Sequence, residues 1–167
     1  MPKGETYIKF YDGMNVSASH RYSYSNGAYT QSASGDWIDV YEEWGISLDS
    51  TALSSLMTPA PLKEMIENNV ATEHGKRVVR TDRKIDERNL SLGFNMTAPT
   101  KVAFLTRYAN FCAYVLLQGR IDIATKYQPG VVYRLDYISC QSFGEYQREM
   151  AKFSLRVVEP NPNDRSV

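Results

Sequence analysis

Residues 98–119 read APTKVAFLTRYANFCAYVLLQG, and their periodicity decides the class of fold. Val102, Leu105, Ala109, Cys112 and Leu116 recur at spacings of three, four, three and four, the repeat of one face of an α-helix. Phe104, Tyr108, Phe111 and Val115 widen that apolar face, Pro99 suits a first helical turn, and Gly119 is a natural terminator. The spacing predicts one long helix over about 98–118, roughly 31 Å at about 1.5 Å per residue, lying over one face of a sheet.

The flanking residues switch to a period of two. Before the helix, Arg88 to Met96 points Leu90, Leu92 and Phe94 one way and Asn89, Ser91 and Asn95 the other. After it, Arg120 to Tyr127 alternates Ile121 and Ile123 with charged residues. Gln128-Pro129-Gly130 then supplies the fixed φ and the positive φ of a type II turn, and Val131 to Phe143 returns. Met150 to Val158 sets Ala151, Phe153, Leu155 and Val157 against Lys152, Ser154 and Arg156. Strands, one helix and three further strands predict an α+β fold: mainly antiparallel, a β-sandwich or small barrel with one long flanking helix.

Toward the N-terminus the signals are shorter. Leu62 to Val70 fits a helical face as well as a strand, and Arg77 to Arg80 offers a hairpin partner across a His74-Gly75 turn. Ser50 to Pro61, with Pro59 and Pro61, reads as a loop. Asp36 to Leu48 reads as a short hairpin turning at Glu43-Trp44-Gly45. Residues 1–35 stand apart in composition, with Tyr7, Tyr11, Tyr22, Tyr24 and Tyr29 among Ser, Asn and Gly. Within them Glu5 to Tyr11 alternates like a strand. Rigid tyrosine surfaces in a polar matrix suit an arm that docks on a neighbouring subunit; a disordered tail is the plain alternative. The expected organisation is a 1–35 extension, a 36–160 domain and a polar 161–167 tail.

At 167 residues one core is the natural size. Nineteen basic residues balance nineteen acidic ones, which removes the whole-chain electrostatic case for binding nucleic acid or an anionic membrane. No apolar run approaches the roughly 20 residues of a membrane span, and Met1 to Tyr11 lacks the apolar core of a secretory signal, so a soluble, cytoplasmically made protein is expected. Cys112 and Cys140, far apart in sequence, read as buried free thiols rather than a disulfide framework.

Chemistry-bearing patterns are sparse. His20 and His74 have no partners at ligand spacing, no nucleophile elbow or glycine-rich phosphate loop occurs, and the glycines are scattered singly. Glu42, Glu43, Glu64 and Glu67 could supply paired carboxylates, although charges beside turns usually serve solvation. No catalytic residue, cofactor or metal is expected. Trp37, Trp44 and the N-terminal tyrosines offer a second possibility, a small carbohydrate- or peptide-binding module. The strongest charge feature is Lys76, Arg77, Arg80, Arg83, Lys84 and Arg88, interleaved with Asp82, Asp86 and Glu87, which reads as an exposed hairpin able to reach another subunit.

Taken together, Asp36 to Leu48 (DWIDVYEEWGISL), Leu56 to Lys63 (LMTPAPLK), Glu73 to Arg77 (EHGKR), Asp86 to Leu92 (DERNLSL) and Thr125 to Val131 (TKYQPGV) resemble, in order, tail proteins of phages and prophages of Bacteroidetes-type bacteria, of the distal tail or tail tube type. The resemblance covers about Asp36 to Pro160. It implies a β-sandwich or small barrel flanked by a helix, hexameric rings around a channel through which DNA passes, and contacts with tube, tape-measure and baseplate proteins. It implies a place in the virion tail, and neither catalytic residues nor a membrane. Tyr7, Tyr11, Tyr22, Tyr24 and the six basic residues from Lys76 to Arg88 are the expected subunit contacts.

Overall fold

The computed structural model describes residues 4–11, 14–63, 66–68, 77–79 and 84–167, with 66–68 and 77–79 described by their backbone. In chain order the elements are β1 (Thr6–Lys9), a 3₁₀ turn (Ala18–His20), β2 (Arg21–Ser25), β3 (Ala28–Gln31), β4 (Trp37–Asp39), α1 (Val40–Trp44), β5 (Ile46–Leu48) and α2 (Ser50–Met57). They continue with β6 (Ile66–Asn68), β7 (Arg77–Val79), β8 (Arg88–Thr97), α3 (Lys101–Phe111) with a π-helical turn (Cys112–Leu116), β9 (Arg120–Thr125), β10 (Tyr133–Gly144) and β11 (Met150–Glu159).

Nine strands form one antiparallel sheet in the order β3-β2-β4-β1-β9-β10-β11-β8-β5, and β6 pairs with β7 separately. The fold is thus mostly antiparallel β, a single curled sheet like half a barrel rather than two stacked sheets. The β9-β10-β11 meander and β8 lie where the alternation places them, and Gly130 takes the positive φ of 81° that its turn requires. Leu90, Leu92, Phe94, Ala151, Phe153, Leu155 and Val157 are all buried in the main core.

Three expectations change. The Asp36–Leu48 hairpin is replaced by strand, helix, strand: β4 pairs with β1 and β2, whereas β5 pairs with β8 at the far edge. The Asp39 carboxylate caps α1 by accepting from the N–H groups of Tyr41 and Glu42, and Gly45 closes it in the left-handed region at φ 65°. A side chain at Gly45 would also meet the Thr97 carbonyl oxygen at 2.0 Å. Ser50–Met57 is helical, capped by Asp49, because its prolines fall only after the helix has ended.

The long helix is an eleven-residue α-helix whose cap is Thr100, accepting from Ala103 N–H at 3.1 Å, so Pro99 precedes it. It then widens into a π-turn, in which Leu117 N–H donates to Cys112 O at 2.9 Å. Its buried stripe is Phe104, Tyr108, Phe111 and Val115, whereas Val102 and Leu105, expected inward, face solvent. The aromatic stripe removes more apolar area from water, and area decides which face turns inward.

β1, β2 and β3, all before residue 36, are strands of the main sheet. β1 sits between β4 and β9, and alternation along it sends Ile8 into the main core and Tyr7 into a second cluster on the opposite face with Trp37, Ala124 and Val132. At the other end, residues 160–167 are held down. Val132 N–H donates to Arg165 O, and Arg165 makes two bonds to Glu159, at 2.8 and 2.9 Å.

Glu159 is fully buried and also accepts from Arg88 Nε at 2.6 Å. Both guanidinium groups lie over the Tyr133 ring, and Arg88 further donates to the carbonyls of Ser55, Leu56 and Thr58. This network ties β8, β11, α2 and the C-terminal segment into one unit. Arg88→Ala is expected to cost about 3 kcal/mol or more in chemical denaturation, because a buried carboxylate loses one of its two cations. Gly45→Ala is expected to cost about 2 kcal/mol, measured in the same way, from the left-handed backbone and the close carbonyl.

Candidate assembly surface

α3 carries apolar residues on both sides. Its inner stripe rests on the sheet, where Phe111 meets Trp44, Phe94 and Phe153 at ring separations of 5.6–6.3 Å. On the outer side Val102 is 73% exposed and Leu105 48%, Ala109 and Ala113 are also exposed, and Leu117 beyond the π-turn is 81% exposed. From Val102 to Gly119 the only charged side chain is Arg107, which is turned back to donate to Thr97 O at 2.9 Å. Thr106 and Asn110 share this side, so the outer face is uncharged and largely apolar rather than wholly so. Apolar residues on both sides of a helix are usual where it is buried.

Beside this face stands an arm. β10 pairs with β11 along most of its length, but with β9 only over Tyr133–Asp136. Beyond Tyr137, residues 138–144 (ISCQSFG) are exposed and uncharged, and no described strand pairs with their outer edge. Two register shifts, at Tyr137/Ser139 and Cys140/Ser142, bend this part of the strand. Phe143 meets Tyr108, and Tyr146 meets Phe104, each at 5.5 Å between rings, so the arm is seated on α3. A further uncharged, exposed edge is β3 (AYTQ) at one end of the sheet. Natural edges are commonly guarded by charge, and neither of these is.

The residues singled out in the sequence divide. Tyr7 is buried, stacked on Tyr29 at 4.4 Å and tilted against Tyr22 at 5.2 Å. Tyr24 packs on Tyr29 at 5.0 Å, and Tyr11, half-buried, donates to Asp122 at 3.5 Å. These side chains fill the second cluster and its margin. Arg88 is buried in the ion network described above and leaves the exposed charged segment, Lys84 is exposed, and Arg77 lies on β7. Lys76, Arg80 and Arg83 lie outside the described residues, as do Glu64 and the His74-Gly75 turn.

Trp37 and Trp44 are buried, so neither offers a stacking platform for a sugar or peptide. His20 Nδ1 and the Glu43 carboxylate are hydrogen-bonded at 2.6 Å, and Glu42 accepts from the Tyr22 hydroxyl at 3.3 Å. Among the described residues no group of three or more His, Cys, Asp and Glu side chains could hold a metal, and no helix is long and apolar enough to cross a membrane. Sequence reasoning named Val102, Leu105 and Ala109 of the outer helix stripe but placed them inside, and did not single out Ala113 or Leu117. The signal that could have corrected it is the excess of apolar positions over what one face needs.

No family model matches the chain, and no curated protein does. Among solved structures it is similar to the Dit protein (gp 19.1) of SPP1, with a TM-score of 0.47 and 16% identity over 64% of this chain and 42% of that one. That neighbour is a phage hub protein. Its structure is described as a paradigm of the hub adsorption apparatus in phages that infect Gram-positive bacteria. The present chain spans less than half of its length.

The tyrosine cluster has a titration signature. Burial, and then the Glu42 carboxylate, pushes the Tyr22 hydroxyl up to about 12, and burial followed by Tyr24 does the same for Tyr29. Burial likewise raises Tyr7. A folded-state pKa above the unfolded value of about 10 gives stability that is complete below pH 10 and lost as pH rises toward 12. Absorbance titration near 295 nm should therefore show a late-ionising subset of the twelve tyrosines. Denaturant stability should be flat up to about pH 10 and then fall, less steeply in Tyr22→Phe.

Proposed function

We propose that this protein is a non-enzymatic structural subunit of a phage tail, of the distal tail or tail tube type. It works by assembling with copies of itself into rings, hexameric by the sequence resemblance, around a channel that DNA traverses. The ring would meet tube, tape-measure and baseplate proteins and belong to the virion. The resemblance from Asp36 to Pro160 supplies the family-level part of this reading.

The observation that carries self-assembly is the outer stripe of α3, which is apolar, free of charge and exposed. In the isolated chain that stripe leaves several large side chains in water, each worth about 1.5–3 kcal/mol on full burial. A second copy is the occupant this surface fits, since two uncharged faces meet without repulsion and the neighbouring 138–144 edge can extend a sheet across the contact. The exposed Lys84 and the other basic residues from Lys76 to Arg83, together with tyrosines at the edge of the second cluster, would set register rather than strength.

Size-exclusion chromatography with light scattering tests the reading. The expected species is discrete and near six times the 19.0 kDa protomer mass. The double variant Leu105→Glu, Leu117→Glu should run as a monomer with its thermal midpoint nearly unchanged, because exposed substitutions shift stability by only about 0.5 kcal/mol. A protein monomeric at every concentration, or a multimer indifferent to the double variant, would count against it.

A further inference from the structure

The two cysteines, separated widely in sequence, line one small cavity. Its volume is about 230 Å³, and its walls include Tyr108, Cys112, Leu116, Tyr137, Cys140 and Phe143. Cys112 opens the π-turn after α3, and Cys140 sits between the two register shifts of β10. Each element is thus irregular at its cysteine, and such departures from regular geometry often mark functional positions. Both thiols are free, Cys140 exposed and Cys112 half-buried. The sequence expectation of buried free thiols is therefore corrected on burial alone: both thiols are free, but neither is fully buried.

We infer that Cys112 and Cys140 form a reversible redox modification site, in which oxidation by a low-molecular-weight disulfide such as glutathione disulfide joins them and staples the α3 π-turn to the β10 arm. Cys140, the exposed thiol, meets the oxidant first. Its thiolate attacks one sulfur of glutathione disulfide, releasing one glutathione thiolate and leaving a mixed disulfide on Cys140. Cys112, once deprotonated, attacks the Cys140 sulfur and releases the second glutathione. Two protein thiols lose two protons and two electrons, and one glutathione disulfide becomes two thiols.

The surroundings of Cys112 suit the second role. Burial pushes its thiol up, the hydrogen bond with Tyr108 lowers it, and Cys140 raises it again, so it resists reaction with external oxidants. An adjacent mixed disulfide bypasses that resistance, because the attack is intramolecular. Cys140 donates to Ser142 O at 3.2 Å within its own strand, a weak contact that forming the bridge would break. The inference stands on the folded chain and does not require the assembly reading.

The test is incubation of the purified native chain with glutathione disulfide, followed by intact-mass and peptide mapping without reductant. The expected product is 2 Da lighter, carries a 112–140 bridge, melts about 5–10 °C higher and returns to the starting state with dithiothreitol. Cys112→Ala should stop at a glutathione adduct on Cys140, and Cys140→Ala should remain unmodified, with circular dichroism confirming that both are folded. A wild-type chain that stops at the Cys140 adduct, or that forms only bridges between chains, overturns the inference.

Discussion

Six residues, Val40 to Gly45, connect β4 and β5, which lie six places apart in the sheet. At about 4.8 Å between strands a flat sheet would separate them by roughly 29 Å. A fully extended connection of this length reaches only about 25 Å, and the helical one observed far less. The sheet must curl to bring its two regions together. Asp39 and Gly45 fix the helical form of the link, and every larger feature follows from the curvature they impose. The concave face becomes deep enough to hold the main core, and a helix is needed to close it.

Phe111 is where that closure is made, with aromatic neighbours from α1, β8 and β11 around one ring. A second tie acts at the far side, where Glu159 is shared by Arg88 and Arg165 over the Tyr133 ring. A buried carboxylate between two cations is poor evidence of net stability, yet it is strict about geometry, because losing either partner leaves charge without compensation. It fixes where α2 and the C-terminal segment sit against the sheet edge. The tyrosine cluster of β1, β2 and β3 completes the opposite face, which is why these three strands belong to the same folded unit.

With the concave side filled by one stripe of α3, the other stripe has nothing among the described residues to cover it. The arm of β10 and β11 leans on the same helix through Phe143 and Tyr146 and leaves its own edge open. An apolar helix face and an unguarded strand edge are thereby collected on one side of the molecule. The cysteines lie where arm and helix meet, so a covalent link there would act on the relative position of both parts of this surface.

β8 and β11 were legible in the sequence because each alternates strictly and buries one face, so that a register error would invert the whole strand. The existence of the 101–116 helix and the turn at Gly130 were legible for equally local reasons, whereas the β6 stretch fitted a helix as well as a strand. What the sequence could not supply was the choice between two equally periodic stripes on α3. Period is a property of the segment, whereas the buried side is chosen by the volume and shape the sheet presents. The same holds for the 36–48 stretch, where a cap and a glycine make a helix or a turn locally and only the curl of the sheet selects the helix. It holds for Arg88, charged like its neighbours in sequence but buried by a glutamate 71 positions away. Local chemistry wrote the elements; the tertiary structure, through competition for one limited interior, decided which side of each element stays dry and which is left in water.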